Sequence, residues 1–131
     1  MRSRPERRLL PLALCALLTA CTEADRAQDF ASVPAPGGGH LLTATVVEPW
    51  FPQGPWQVVI YVQAGVDAPR IEVARTELAY DGVPFTRHNI GMRWTAERTA
   101  LVCLRAADRP DKSVFVDVRG ATPTGELRDG C

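Results

Sequence analysis

Lysine occurs once in this chain, histidine twice and serine three times, so the stock of common nucleophiles and metal ligands is thin. Charge of one sign is not in excess: 15 Lys+Arg balance 15 Asp+Glu. A chain without a basic surplus has little with which to meet a phosphate backbone, which argues against nucleic acid as a partner. The longest apolar run, residues 9–18, is about half of the ~20 residues a membrane-crossing helix needs. There is no Gly-x-Ser-x-Gly elbow, His-Glu-x-x-His pair, Walker loop, Rossmann glycine pattern or internal repeat. What is present is 131 residues, enough for one domain, with 46% hydrophobic residues, too many for a chain disordered throughout.

Arg2, Arg4, Arg7 and Arg8 make a basic flank in which Glu6 is the only acid; the apolar run follows, and Thr19 and Ala20 are small. Basic flank, short apolar run and small residues before a cut are the three parts of a secretory signal. Leu18-Thr19-Ala20-Cys21 closes the segment and resembles the lipobox of bacterial lipoproteins. The resemblance covers residues 1–21. It implies cleavage between Ala20 and Cys21, a lipid on the Cys21 sulfur and acylation of the new amino terminus. The membrane is then a partner through the anchor, since two or more acyl chains hold firmly where one binds marginally. In the family pattern an Asp after the lipidated Cys tends to retain a protein at the inner membrane. Thr22 stands there instead, which implies the inner leaflet of the outer membrane, facing the periplasm.

Cys15 leaves with the apolar run, so Cys21, Cys103 and Cys131 remain, and an odd count in an oxidising compartment leaves one thiol over. With Cys21 lipidated, as the resemblance implies, Cys103 and Cys131 are natural disulfide partners. Their bridge would close a loop of about 29 residues, worth roughly 3–4 kcal/mol. Residues 21–131 hold 11 basic and 14 acidic side chains, a net charge of −3. Such a domain gains nothing from anionic headgroups, so the lipid does the holding.

Residues 21–40 carry the lipidated Cys and then small, polar and charged residues, Pro34-Ala35-Pro36 and three glycines, with no apolar period; they read as a flexible tether, with a short helix over residues 23–30 as the alternative. Residues 41–131 read as the globular domain. Strand-like runs stand at 41–48, 56–63 and 113–119. In the second, Trp56, Val58, Ile60 and Val62 share one face, while Gln57, Val59, Tyr61 and Gln63 suit a half-exposed one. Residues 70–80 and 99–107 admit either strand or helix; Ile71, Ala74 and Leu78 fall at helical spacing, whereas Asp81-Gly82 signals a hairpin and residues 108–112 a turn. The pattern as a whole predicts an all-β, immunoglobulin-like sandwich of six or seven strands; the alternative is α+β, an antiparallel sheet with one or two helices.

After cleavage only Ser32 and Ser113 remain, one in the tether and one opening a strand, and neither has the setting of an activated nucleophile. The chain reads as no enzyme and calls for no cofactor. His88 and Met92 are weak candidates for a soft metal site, imidazole and thioether being copper ligands, but the paired spacing of a chaperone site is missing. Residues 48–56 (EPWFPQGPW) crowd Trp50, Phe51 and Trp56 among three prolines. Rigid loops and exposed Trp favour recognition, which makes these three aromatics the candidate contact for an envelope protein, peptide or glycan; the alternative is that Trp50 and Trp56 cover the ends of a small core while the prolines shape a turn. The sequence therefore points to a lipid-anchored, non-catalytic binding or scaffolding module in the periplasm. The alternatives are a ligand or metal carrier and, behind it, an envelope hydrolase or its inhibitor.

Overall fold

The computed structural model describes residues 22–51, 54–78, 86–106 and 109–131. They form a one-turn helix, α1 (Glu23–Arg26), and the strands β1 (Ala27–Pro34), β2 (Leu41–Val47), β3 (Trp56–Gln63), β4 (Ile71–Leu78), β5 (Ile90–Ala96), β6 (Thr99–Ala106), β7 (Arg109–Asp117) and β8 (Thr124–Asp129). All pairings are antiparallel, and the strand orders are β1-β2-β3-β4 and β5-β6-β7-β8. The fold is an all-β sandwich of two four-stranded meanders. It shares the two packed sheets of immunoglobulin domains but has sequential strand order in each sheet; seven of the described strands, β2–β8, lie within residues 41–131, as expected, and β1, from the segment read as a tether, is an eighth.

Period-two alternation builds the core. Leu42, Ala44 and Val46 of β2 and Val58, Ile60 and Val62 of β3 face Ala100, Val102 and Leu104 of β6 and Val114 and Val116 of β7. Both segments of ambiguous period are strands. In β4 the pairing slips between Ile60↔Ala74 and Tyr61↔Glu72. This bulge inserts one residue, so Ile71 and Ala74 reach the same face three apart and imitate a helix. Asp81-Gly82 lies outside the described residues. The turn expected at 108–112 is not found over residues 109–112, which belong to β7, and Asp108 lies outside the described residues.

The tether expectation is corrected. Residues 27–34 pair with β2 along its length, from Ala27↔Val47 to Pro34↔Leu41. The Pro-Gly-rich run is a hairpin turn: the Ala35 N–H donates to the His40 carbonyl (2.8 Å) and the Gly38 N–H to the Ala35 carbonyl (2.8 Å). Gly38 takes φ +72, which glycine adopts without strain. β1 has one β-branched residue, Val33, and a bulge between Asp29 and Ala31 breaks its alternation, so it carries no strand signal and is held by the stronger β2. Residues 22–34 are therefore part of the folded body, with α1 occupying only part of the helix considered for 23–30.

Cross-sheet contacts close both open edges. Trp94 Nε1 on β5 donates to the Val33 carbonyl on β1 at 2.9 Å. At the opposite edge a Cβ on Gly125 of β8 would lie 2.3 Å from the Val73 carbonyl oxygen of β4, an approach only glycine permits. The outer face of β3 is more covered than expected, with Val59 and Gln63 buried. It is flanked by a bidentate Arg70–Asp29 pair (2.8 and 2.6 Å), and Arg70 also lies over Tyr61.

Candidate functional site

Two surface features offer chemistry, one where α1 meets the β2–β3 loop and one on the outer face of the second sheet. A four-residue helix has no stability of its own, and side chains hold α1 at both ends. Thr22 donates its N–H (2.7 Å) and hydroxyl (3.0 Å) to the Asp25 carboxylate, lowering the Asp25 pKa, chiefly through the backbone bond. Glu23 Oε1 accepts from Arg75 Nη2 at 2.9 Å, and Arg75 also bonds Glu72 (2.9 Å) and Gln57 (3.0 Å). At the far end the Arg26 carbonyl accepts the Glu48 N–H (3.0 Å), and Arg26 Nη1 donates to the Glu48 carbonyl.

The Arg26 guanidinium lies 4.1 Å from the centroid of the Trp50 ring, a cation–π stack that fixes one face of the indole. Trp50 remains 61% exposed and Phe51 76%. Their backbone is held from behind, since the Gly54 N–H donates to the Phe51 carbonyl (3.0 Å) and a Cβ at Gly54 would come within 2.7 Å of Pro49 Cβ. A recess of about 160 Å³ lies between Arg26, Glu48, Trp50 and Gln57. The aromatic platform is thus a pair, Trp50 and Phe51. Trp56, read with them, is half-buried and packs against the core at the start of β3.

On the second sheet Gly91, Met92, Arg93, Leu101, Cys103, Arg105 and Cys131 line a groove of about 360 Å³. Strand period sets this lining: Gly91 stands opposite Cys103 and Arg93 opposite Leu101. A Cβ at Gly91 would sit 3.5 Å from Arg105 Nη1, in ordinary van der Waals contact. Arg93 makes no ion pair among the described residues, and Arg105 Nε is 3.7 Å from Asp111 Oδ2. Leu101 continues into Phe115, whose ring lies 4.4 Å beneath the Arg128 guanidinium. An apolar floor between guanidinium groups suits a carboxylate or phosphate carried on an apolar body.

The Cys103–Cys131 disulfide forms one wall, with Cα atoms 5.4 Å apart. The Gly130 N–H donates to the Asp111 carbonyl (2.8 Å), so the C-terminal residues are tied to β7 by a backbone bond as well. Among the described residues Cys103, Asp111 and Cys131 are the group whose donor atoms converge, all within 4.8 Å. Metal binding needs thiolates, and the S–S bond uses both sulfurs, so the oxidised protein offers a single carboxylate there. His88 and Met92 are not brought together as ligands: His88 is exposed in a turn, and Met92 packs against the core. Cys21 lies outside the described residues.

Sequence reasoning missed Arg93, Leu101, Arg105 and Phe115. Their signal was the i, i+2 series Gly91-x-Arg93 and Leu101-x-Cys103-x-Arg105, legible only once residues 99–107 are known to be a strand. Fold and site together define a small two-sheet β-sandwich with a stapled C-terminus and an arginine-flanked groove. No family model matches the chain, and no curated protein or solved structure is detectably similar to it.

Proposed function

We propose that the protein is a lipid-anchored lipoprotein of the bacterial cell envelope, held at the outer membrane and facing the periplasm, which binds an acidic partner through the groove of the second sheet and catalyses nothing. The Cys103–Cys131 bond carries the anchor reading. It accounts for two of the three cysteines left after signal cleavage and leaves Cys21 of the lipobox to carry the thioether. Recognition rather than catalysis is supported by the groove's charged side chains. Guanidinium groups neither accept nor release a proton near neutral pH, and the sulfurs beside them are bonded to each other. The partner chemistry that suits the groove is an acidic peptide segment or a carboxylate-bearing glycan.

Labelling cells with radioactive palmitate tests the anchor: the wild type takes the label, and Cys21→Ala loses both label and membrane fraction. For the groove, crosslinking in cells should yield an adduct that Arg93→Glu/Arg105→Glu abolishes and Arg98→Glu, in the β5–β6 turn, retains. Adducts unchanged by the double reversal would remove the groove from the account.

A further inference from the structure

Exposed large aromatics need an explanation when they sit side by side on a braced loop, and Trp50 and Phe51 do. Their place in the molecule supplies one. Residues 22–34 belong to the body and are not a loose tether: Glu23, two residues after Cys21, is bonded to Arg75, and residues 27–34 are paired in the first sheet. One peptide step and a four-residue helical turn separate Cys21 from Arg26, a path of about 10 Å. Arg26 is the residue stacked on Trp50. The acylated residue and the aromatic pair therefore share one end of the first sheet, where Ala27 pairs with Val47 and the Glu48 N–H binds the Arg26 carbonyl.

We infer that Trp50 and Phe51 are a membrane-docking element: they enter the interface of the same bilayer that the Cys21 acyl chains occupy, fixing the domain upright on the membrane with the β1–β2 hairpin turn, residues 35–40, pointing away. The inference rests on the lipid-anchor reading above. An interfacial zone is several ångströms deep, so a ~10 Å path from the acylated residue leaves the loop at headgroup level. Trp is suited to that level, with an apolar ring and one polar N–H. The charged groups that line the recess with Trp50 are Glu23, Glu48 and Arg26, without a basic excess, so contact is made by aromatic insertion and not by attraction to anionic lipid. The groove on the second sheet is left free to meet a periplasmic partner.

The full acylated chain is reconstituted into phosphatidylcholine vesicles whose acyl chains are brominated near the headgroup, and tryptophan emission is compared with unbrominated vesicles. Trp56 packs against the core and Trp94 bonds to Val33, which leaves Trp50 as the exposed reporter. Quenching is expected in the wild type, lost in Trp50→Tyr and increased in Phe51→Trp, with no release by high salt. Both variants change exposed side chains, and circular dichroism checks their folding. Vesicle flotation is read in parallel. Protein that floats with equal emission in both kinds of vesicle overturns the docking and leaves the anchor standing; so does quenching that Trp50→Tyr retains. Protein that fails to float overturns both.

Discussion

Glu23, two residues past Cys21, is joined at 2.9 Å to Arg75 on β4, an edge strand of the first sheet. This contact makes the N-terminal segment part of the body, and it shares its arginine with Glu72 and Gln57. Arg75→Ala should free α1 and the start of β1, speeding amide exchange over residues 23–28. Its side chains are partly exposed, 31% for Arg75 and 50% for Glu23, so the loss of global stability should be about 1 kcal/mol or less by urea denaturation. Exchange unchanged by the substitution would show that other contacts hold the segment.

Trp94 ties the two sheets through a single N–H donated to the Val33 carbonyl. Trp94→Phe keeps most of the ring and removes the donor, leaving a half-buried carbonyl unpaired. A loss of about 1–2 kcal/mol is expected, read from the urea midpoint at unchanged slope.

Gly125 closes the other edge. Alanine there would place a Cβ 2.3 Å from a backbone oxygen that has no flexible side chain to yield. Gly125→Ala should destabilise the protein by roughly 1–3 kcal/mol. Gly39, with nothing within 4 Å of its Cβ position, is the control, and Gly39→Ala should change stability little.

Acid should loosen the outer face of the first sheet. Arg70 holds the Asp29 carboxyl below its ordinary pKa through its hydrogen bonds, and Arg75 does the same to Glu72. A depressed folded-state pKa means stabilisation that is complete above the unfolded value, near 4, and lost as pH falls through the lower folded value. Both groups are partly exposed, so together they should contribute on the order of 1 kcal/mol. Asp117, held at about 2 chiefly by the Arg119 hydrogen bond, stays ionised through much of this window. Thermal melts between about pH 6 and pH 3 should show a fall in Tm that is smaller in Asp29→Asn.

Much of the architecture was legible because four strands alternate at period two around the core. β3 matches residues 56–63 from end to end, and β2 and β7 stand within a few residues of the runs read for them. The hidden parts have physical reasons. β1 reads as a linker since a bulge breaks its pattern and its stability comes from β2. β8, TGELRD, is a mostly exposed edge strand with no apolar face of its own. β4 imitates a helix through its bulge. Of the candidate site, the disulfide was legible in the cysteine count taken with the lipobox resemblance, and residues 48–56 stood out, but whether their tryptophans face solvent or core was not decided by the sequence. The alternation of β3 already put Trp56 on the core face, and the arginine groove depends on pairing two strands whose register no local pattern reveals.

The anchor at Cys21 is the claim on which the rest turns, and intact-mass analysis of protein extracted from native membranes tests it directly. The expected species is a chain starting at Cys21, heavier than its amino acids by fatty acyl groups, with no free thiol and two cysteine thiols released only on reduction. A chain still carrying Met1, or one starting at Cys21 with a free thiol and no acyl mass, would contradict it.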